Sequence, residues 1–481
     1  MLLWIQRLPL VVAFYYFYGF TLPLLAQSIP LPSSVYIYGT INNAQSPLVS
    51  LDLPKNLLLG EVESYAARIA PDGSFMLYCP LQAPTAANLF HANQQTTLFV
   101  FPGDSIAISA DAEQWRETLQ CKGKKGGERN QFLAEYSRRY EGGTAENAEL
   151  NAMTHKDAGE YRYHADQQRQ QKLHLLATAF SKAPEATFFR FAEAKIGAEW
   201  ADNLFDYPVI HALKNNLMST NLVPGYYGFI NEPLDWSNPH VLSLPRYAEL
   251  LKKIVTQRIR PTTNAKDYDH SRYYADRHEW AKKIMDGKSL YFFQAQNIID
   301  ALTYTKPEDI ANTYREWAAD CPYTEFRTVV DSAYTKAEQL MAGKPAPNFA
   351  LPDAAGNSVA LNSLRGKAVY LDFWASWCGP CLKEMPHSKQ LAEKLQGKEV
   401  AFVYVSVDEN PEAWLNALQK WQLNGKHIWA AGLKSETAQS YNVKGVPRYV
   451  LIDSEGNIAD GNAKRPSELG IEADILRAIK P

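Results

Sequence analysis

At 481 residues the chain is longer than one hydrophobic core usually supports, so two or three domains are expected. Hydrophobic residues make up 46% and charged residues 21%, an ordinary globular balance that leaves no room for a low-complexity or disordered class. A formal net charge of -3 gives no support for a nucleic-acid surface, and five cysteines are too few for a secreted disulfide scaffold of this length.

The first 26 residues carry Arg7 and then an uncharged run from Leu8 through Ala26. Leu24-Leu25-Ala26 before Gln27 makes a cleavage site, so residues 1–26 read as a secretory signal peptide. An uncleaved membrane anchor is the rival, because the run is close to the roughly 20 residues that span a bilayer. Both readings place the mature chain outside the cytoplasm. No cysteine follows the run closely, which disfavours a lipid anchor.

Residues 28–115 carry strand signals and read as an antiparallel β-domain, a small sandwich. Val35 to Gly39 and Ser74 to Leu77 alternate or run apolar. Asp72-Gly73 and Pro102-Gly103-Asp104 are turn signals that predict hairpins. Cys79 shares a strand face with Phe75 and Leu77, while Cys121 and Cys321 stand alone. These three read as buried, inert thiols, with a Cys79–Cys121 bridge as the alternative. The basic, glycine-rich segment from Cys121 to Gly127 lacks the G-x-x-x-x-G-K-[ST] pattern that cradles phosphate and reads as a solvated loop.

Helical periodicity dominates residues 128–340, as in Arg169 to Phe180, Tyr247 to Ile259 and Ile310 to Ala318. Pro208, Pro224, Pro233, Pro239 and Pro245 break the middle into short pieces. Phe188, Phe189, Phe191 and Trp200 suit helix packing better than a binding box. His270 and His278 are too isolated to suggest a metal site, and no metal or cofactor is expected anywhere. Met341 to Pro347 forms the linker into the last domain.

Residues 343–481 carry the chemistry. The apolar stretch Ala368 to Phe373 reads as a buried strand that ends in a tight loop at Cys378-Gly379-Pro380-Cys381. A helix is expected from Pro380 to Leu395, kinked at Pro386. Cys378 then sits at a helix N-terminus, where unpaired N–H groups and the helix dipole favour a thiolate, the attacking species in disulfide exchange. Cys381 lies about one turn on, close enough to close a small disulfide ring. Pro380 suits the first turn because its missing N–H has no partner to lose there. A zinc site needs a second ligand pair, and none is visible. Two more strands follow, Ala401 to Val407 and Arg448 to Asp453; a turn at Ser454 to Asn457 leads into another at Ile458, and Pro466 or Ser467 opens a terminal helix.

The lead-in Gly343-Lys344-Pro345-Ala346-Pro347-Asn348-Phe349, an apparent hairpin over Leu351 to Leu361, Trp377-Cys378, Lys383-Glu384-Met385-Pro386 and Gly445-Val446-Pro447 together resemble the TlpA/ResA-like thiol-disulfide oxidoreductases of the thioredoxin superfamily. The resemblance covers roughly residues 343–481 and implies a C-terminal α/β thioredoxin-like fold after the β-domain and the helical region. It implies that Cys378 attacks a partner disulfide and that Cys381 resolves the mixed disulfide. Asp372 matches the buried aspartate that accepts a proton through water. Glu384 matches an active-site glutamate that tunes the pair. Trp377, Val446 and a cis Pro447 would meet the substrate. Tyr404 stands where thioredoxins carry a lysine beside the aspartate, so the charge environment of Asp372 is open. An inserted helical element is expected around Pro411 to Leu433. The β-domain is similar to one that precedes the redox domain in large family members.

The Gly-Pro pair between the cysteines matches thioredoxin, a reductant at about -270 mV. The expected function is therefore an envelope, periplasmic reductase of protein disulfides, with apocytochrome c among its candidate substrates. Its electrons would come from a membrane electron transducer, since no nucleotide or flavin signature is present. Two alternatives stand beside it. One is a redox-regulated scaffold. The other is a peroxiredoxin-type peroxidase, disfavoured because its T-x-x-C pattern meets Ala375 here.

Overall fold

The computed structural model describes residues 34–181, 185–232, 234–259 and 272–479. The expected leader or anchor at 1–26, Pro233 and His270 lie outside the described residues.

Eight strands build the N-terminal sandwich. They are β1 (Ser34–Asn42), β2 (Leu48–Asn56), β3 (Glu61–Arg68), β4 (Ser74–Pro80), β5 (Thr85–His91), β6 (Gln94–Val100), β7 (Ser105–Asp111) and β8 (Gln120–Lys125). They form two sheets, ordered β4-β1-β7-β8 and β3-β2-β5-β6. Alternation drives the packing: Phe75, Leu77 and Cys79 of β4 point inward and meet Leu51, Leu89 and Leu98 from the other sheet. All pairings are antiparallel except β1 with β7. That parallel contact brings Gly39 against the Ile108 backbone at φ +148, where a Cβ would collide.

Three expectations change here. Asp72-Gly73 does make a tight turn, but β3 and β4 belong to different sheets, so it is an inter-sheet corner. Pro102-Gly103-Asp104 is likewise a corner between β6 and β7. The basic segment is no loop: β8 pairs with β7 as an edge strand, taking the sandwich past residue 115, and its exposed Lys122, Lys124 and Lys125 discourage further pairing. Cys79 on β4 and Cys121 on β8 lie on opposite edges of one sheet. Three strand spacings, roughly 14 Å, separate them, so no bridge can form.

A four-residue helix, α1 (Trp115–Thr118), precedes β8. The middle region follows as α2 (Gly127–Tyr140), α3 (Gly143–His155), α4 (Ala158–Ala179), α5 (Ala186–Lys214), α6 (Tyr247–Ile259), α7 (Tyr273–Ile284), α8 (Gly287–Tyr304), α9 (Pro307–Asp320) and α10 (Thr324–Glu338). Local chemistry sets several starts. Asp157 and Glu160 form a capping box on α4, and Pro307 occupies the first turn of α9. Phe188, Phe191 and Trp200 are buried in the helical core. That core reaches the sandwich, where the Phe99 and Phe191 rings stack at 4.4 Å. Arg129, fully buried, crosses the same seam by pairing with Asp104 and donating to the Phe99 carbonyl at 2.9 Å. No helix among the described residues is long and apolar enough to cross a membrane.

The last unit opens with the small hairpin β9 (Ala350–Pro352) and β10 (Ser358–Ala360). Next come β11 (Ala368–Trp374), α11 (Gly379–Lys394), β12 (Val400–Ser406), α12 (Pro411–Trp421), β13 (Lys426–Trp429), α13 (Glu436–Ser440), β14 (Arg448–Ile452), β15 (Ile458–Asp460) and α14 (Ile471–Ile479). The sheet order is β13-β12-β11-β14-β15, parallel from β13 to β11 and antiparallel beyond, the arrangement of a thioredoxin-like fold. Every residue of β11 is buried, as a central strand covered on both faces requires. The inserted segment after β12 supplies α12 and the edge strand β13. The terminal helix starts at Ile471, later than expected, directly after Gly470 in the left-handed region at φ +93. This unit meets the helices through Lys306 and Asp460, paired at 2.6 Å, and through Asn462, whose amide donates to the Tyr304 carbonyl at 3.2 Å.

Candidate active site

The site forms where β11 ends and α11 begins. Cys378 is the N-cap of α11, Gly379 and Pro380 fill the first turn, and Pro386 lies inside the helix without ending it. Cys378 and Cys381 are disulfide-bonded, with Cα atoms 5.2 Å apart. The Cys378 sulfur accepts the Cys381 N–H at 3.1 Å. That contact and the helix N-terminus favour negative charge on this sulfur once the bond is reduced. Both cysteines are buried, whereas Trp377 beside them is 63% exposed.

Asp372 lies on β11 and is 2% exposed. In register it faces Tyr404 on β12 and Tyr449 on β14, so two phenols flank it where a cation would have compensated its charge. The Tyr404 hydroxyl is engaged with Ser388 of α11 at 2.9 Å, and Asp372 Oδ1 has no hydrogen-bond partner. Burial, and secondarily the negative charge of Glu384, push the Asp372 carboxyl up to about 8. Glu384 sits on α11, one turn beyond Cys381. Its carboxylate accepts the Ser467 N–H at 3.1 Å and the Ser467 hydroxyl at 2.9 Å.

The Val446–Pro447 peptide bond is cis. Because Phe373 pairs with Arg448, these two residues lie at the same end of the sheet as the loop to Cys378. The chain thus gathers Asp372, Trp377, Cys378, Cys381, Glu384, Val446 and Pro447 around one end of β11.

Residues missed by sequence reasoning complete the site. Ser467 holds Glu384, and Arg448, next to Pro447, is half-buried and donates to the Gly461 carbonyl at 2.6 Å; desolvation lowers its guanidinium to about 10. Asp408, just past β12, bonds to Ser376 of the loop. Their sequence signals were weak, being a serine in a turn, an arginine opening a strand and an acid after one.

A family described as Redoxin matches residues 341–475. The thiol-disulfide oxidoreductase ResA of Bacillus thuringiensis subsp. konkukian (strain 97-27) is 35% identical over 154 residues, covering 32% of this chain and 87% of that protein. The chain belongs to the ResA-like thiol-disulfide oxidoreductases. The ResA of Bacillus subtilis (strain 168) is 30% identical over 154 residues, covering 32% of this chain and 84% of its own. A solved thiol-disulfide oxidoreductase from Bacteroides fragilis NCTC 9343 is 30% identical, covers 28% of this chain and 98% of its own, and superposes with a TM-score of 0.25.

In this ResA-like oxidoreductase the free thiols stand apart from the dithiol. Cys79, Cys121 and Cys321 are all buried, and burial pushes Cys79 up to about 11 and Cys121 up to about 12. Among the described residues no group of three or more His, Cys, Asp or Glu is placed to hold a metal ion. A cavity of about 800 Å³ lies among α2 to α6, and no residue beyond 340 lines it. Several of its charges are paired with one another, as in Lys172–Glu199 at 3.0 Å and Lys195–Glu141 at 2.6 Å.

Proposed function

We propose that this oxidoreductase works in the cell envelope as a reductase of protein disulfides, with Cys378 as nucleophile and Cys381 as resolving thiol. The observation that carries the reading is the Cys378 sulfur at the head of α11, accepting the Cys381 N–H, with the buried carboxyl of Asp372 on the strand that leads into this loop. The reduced Cys378 thiolate attacks one sulfur of a partner disulfide, forms a mixed disulfide and expels the other partner sulfur as a thiolate. Cys381 then loses its proton, attacks the Cys378 sulfur and expels the second partner thiolate. Two electrons pass to the partner, and the Cys378–Cys381 disulfide remains.

Asp372 is the proposed acceptor of the Cys381 proton. A carboxyl at about 8 is close to the free thiol value of about 8.5, so a proton can pass between them with little free-energy change. Glu384 tunes Asp372 by its charge. Trp377, Val446 and Pro447 form the proposed contact surface for the partner chain. The uncharged run from Leu8 to Ala26 supports an envelope location, and Gly379-Pro380 supports the reducing direction. A membrane electron transducer is the proposed source of electrons, and apocytochrome c is one proposed substrate.

A Cys381→Ser variant expressed in the native host tests this reading. Partners should accumulate as covalent adducts that disappear on adding reductant, and a second change, Cys378→Ser, should abolish them. Mass spectrometry of the bands separates apocytochromes from diverse envelope proteins. Adducts formed instead through Cys79, Cys121 or Cys321 would show that Cys378 is not the nucleophile.

A further inference from the structure

A third buried carboxylate, besides Asp372 and Glu384, reaches the dithiol loop from β12. Because β12 runs parallel to β11, its end emerges beside the loop, and the Val407 N–H donates to the Trp374 carbonyl at 2.9 Å. Asp408, the next residue, is 1% exposed. Its carboxylate accepts the Ser376 hydroxyl at 2.7 Å and lies 3.0 and 3.1 Å from the Ser376 N–H. It also accepts the Ser406 hydroxyl at 2.8 Å. The Trp429 indole N–H donates to the Asp408 carbonyl at 2.6 Å, so the residue is fixed at both ends. The loop is closed by the Cys378 N–H donating to the Ala375 carbonyl at 3.1 Å, with Ser376 inside that turn.

Among the described residues no lysine, arginine or histidine pairs with Asp408. Its charge is carried by N–H and O–H donors alone, in a site from which water is largely excluded. Such a charge, bonded to the turn that ends at Cys378, disfavours the ionised form of that residue's sulfur. It therefore opposes the helix N-terminus, which favours that form.

We propose that Asp408 is a positioning residue that latches the 375–378 turn through Ser376 and whose buried charge restrains ionisation of Cys378. The consequence is a dithiol couple kept more reducing than the helix N-terminus alone would set, since a less stable thiolate makes the reduced form less stable. This rests on Cys378 being the attacking sulfur.

The test uses the full chain and two variants, Asp408→Asn and Ser376→Ala. The pH profile of iodoacetamide alkylation, with the modified cysteine identified by mass spectrometry, reads the Cys378 ionisation. Equilibration with glutathione reads the couple. In Asp408→Asn the Cys378 profile should move down by about one pH unit and the couple should become more oxidising. Ser376→Ala keeps the charge but loses one latch bond, so its profile should stay within a few tenths of a unit while insulin reduction slows several-fold. An Asp408→Asn profile that coincides with wild type, even with a lowered denaturation midpoint, would reduce Asp408 to a structural cap and overturn the proposal. Wild-type insulin reduction by Ser376→Ala would overturn it too, even if Asp408→Asn failed to fold. Alkylation of Cys381 before Cys378 in the wild-type protein would instead overturn the nucleophile assignment on which this rests.

Discussion

Replacing Asp372 with asparagine should change how stability responds to pH. The folded carboxyl sits at about 8 against an ordinary value of 3.8, so across that interval the folded chain holds a proton that the unfolded chain has released. Stability must then fall as pH rises, by about 1.4 kcal/mol per unit, and level off above pH 8. By pH 7 the accumulated cost is about 4 kcal/mol, an upper figure because structural relaxation reduces it. Asparagine cannot ionise and removes that slope. Its amide adds donors beside a position where Asp372 Oδ1 already lacks a partner, costing about 1–3 kcal/mol at every pH. The variant should therefore be the more stable protein near pH 7–8 and the less stable near pH 4–5.

A chain with several units does not unfold in one step, so the measurement should be local. Hydrogen exchange of the peptide 368–374, corrected for intrinsic rates, reports the opening of β11 between pH 5 and 9. Parallel slopes for wild type and variant would refute the raised carboxyl. The same variant should resolve mixed disulfides more slowly while forming them at the wild-type rate. Resolution at the wild-type rate would remove Asp372 as proton acceptor.

Glu384→Gln removes a charge that raises Asp372, so the acid limb of the resolution rate should move to lower pH; stopped-flow profiles in which the limb stays put would contradict this. Trp377→Ala, at a 63% exposed position, should leave stability within about 0.5 kcal/mol. Its kcat/KM should drop several-fold for a protein disulfide and hold for a small one, and equal losses for both would argue against a partner-facing role. Iodoacetamide at pH 8 should label the reduced Cys378, whose thiolate the head of α11 favours, and spare Cys79, Cys121 and Cys321, whose thiols desolvation pushes up with no such compensation. Labelling of Cys121 in the folded protein would show that the sandwich opens.

Local signals were legible wherever the physics is local. The strand through Phe373, the helix start at Pro380 and the N-cap position of Cys378 depend on neighbours a few residues away, and the sequence alone predicts them. Helical periodicity over 128–340 and the alternation at Phe75, Leu77 and Cys79 belong to the same class. Each encodes a face to be buried, whatever it is buried against.

Only the tertiary structure decided what meets those faces. Asp72-Gly73 specifies a turn, but sheet membership of the next strand depends on distant partners, so an apparent hairpin became a corner. The segment from Cys121 to Gly127 reads as a solvated loop because its own residues carry no strand pattern, and β7 supplies the hydrogen bonds that make Gln120–Lys125 a strand. The electrostatics of the dithiol depend on distance in the same way. Ser376 meets Asp408 across 32 positions and Glu384 meets Ser467 across 83. Asp372 lies between Tyr404 and Tyr449 because strand order places them there. Sequence spacing identifies which groups can react. Their ionisation depends on the desolvation and charge that neighbouring strands impose, and those neighbours are chosen by the fold.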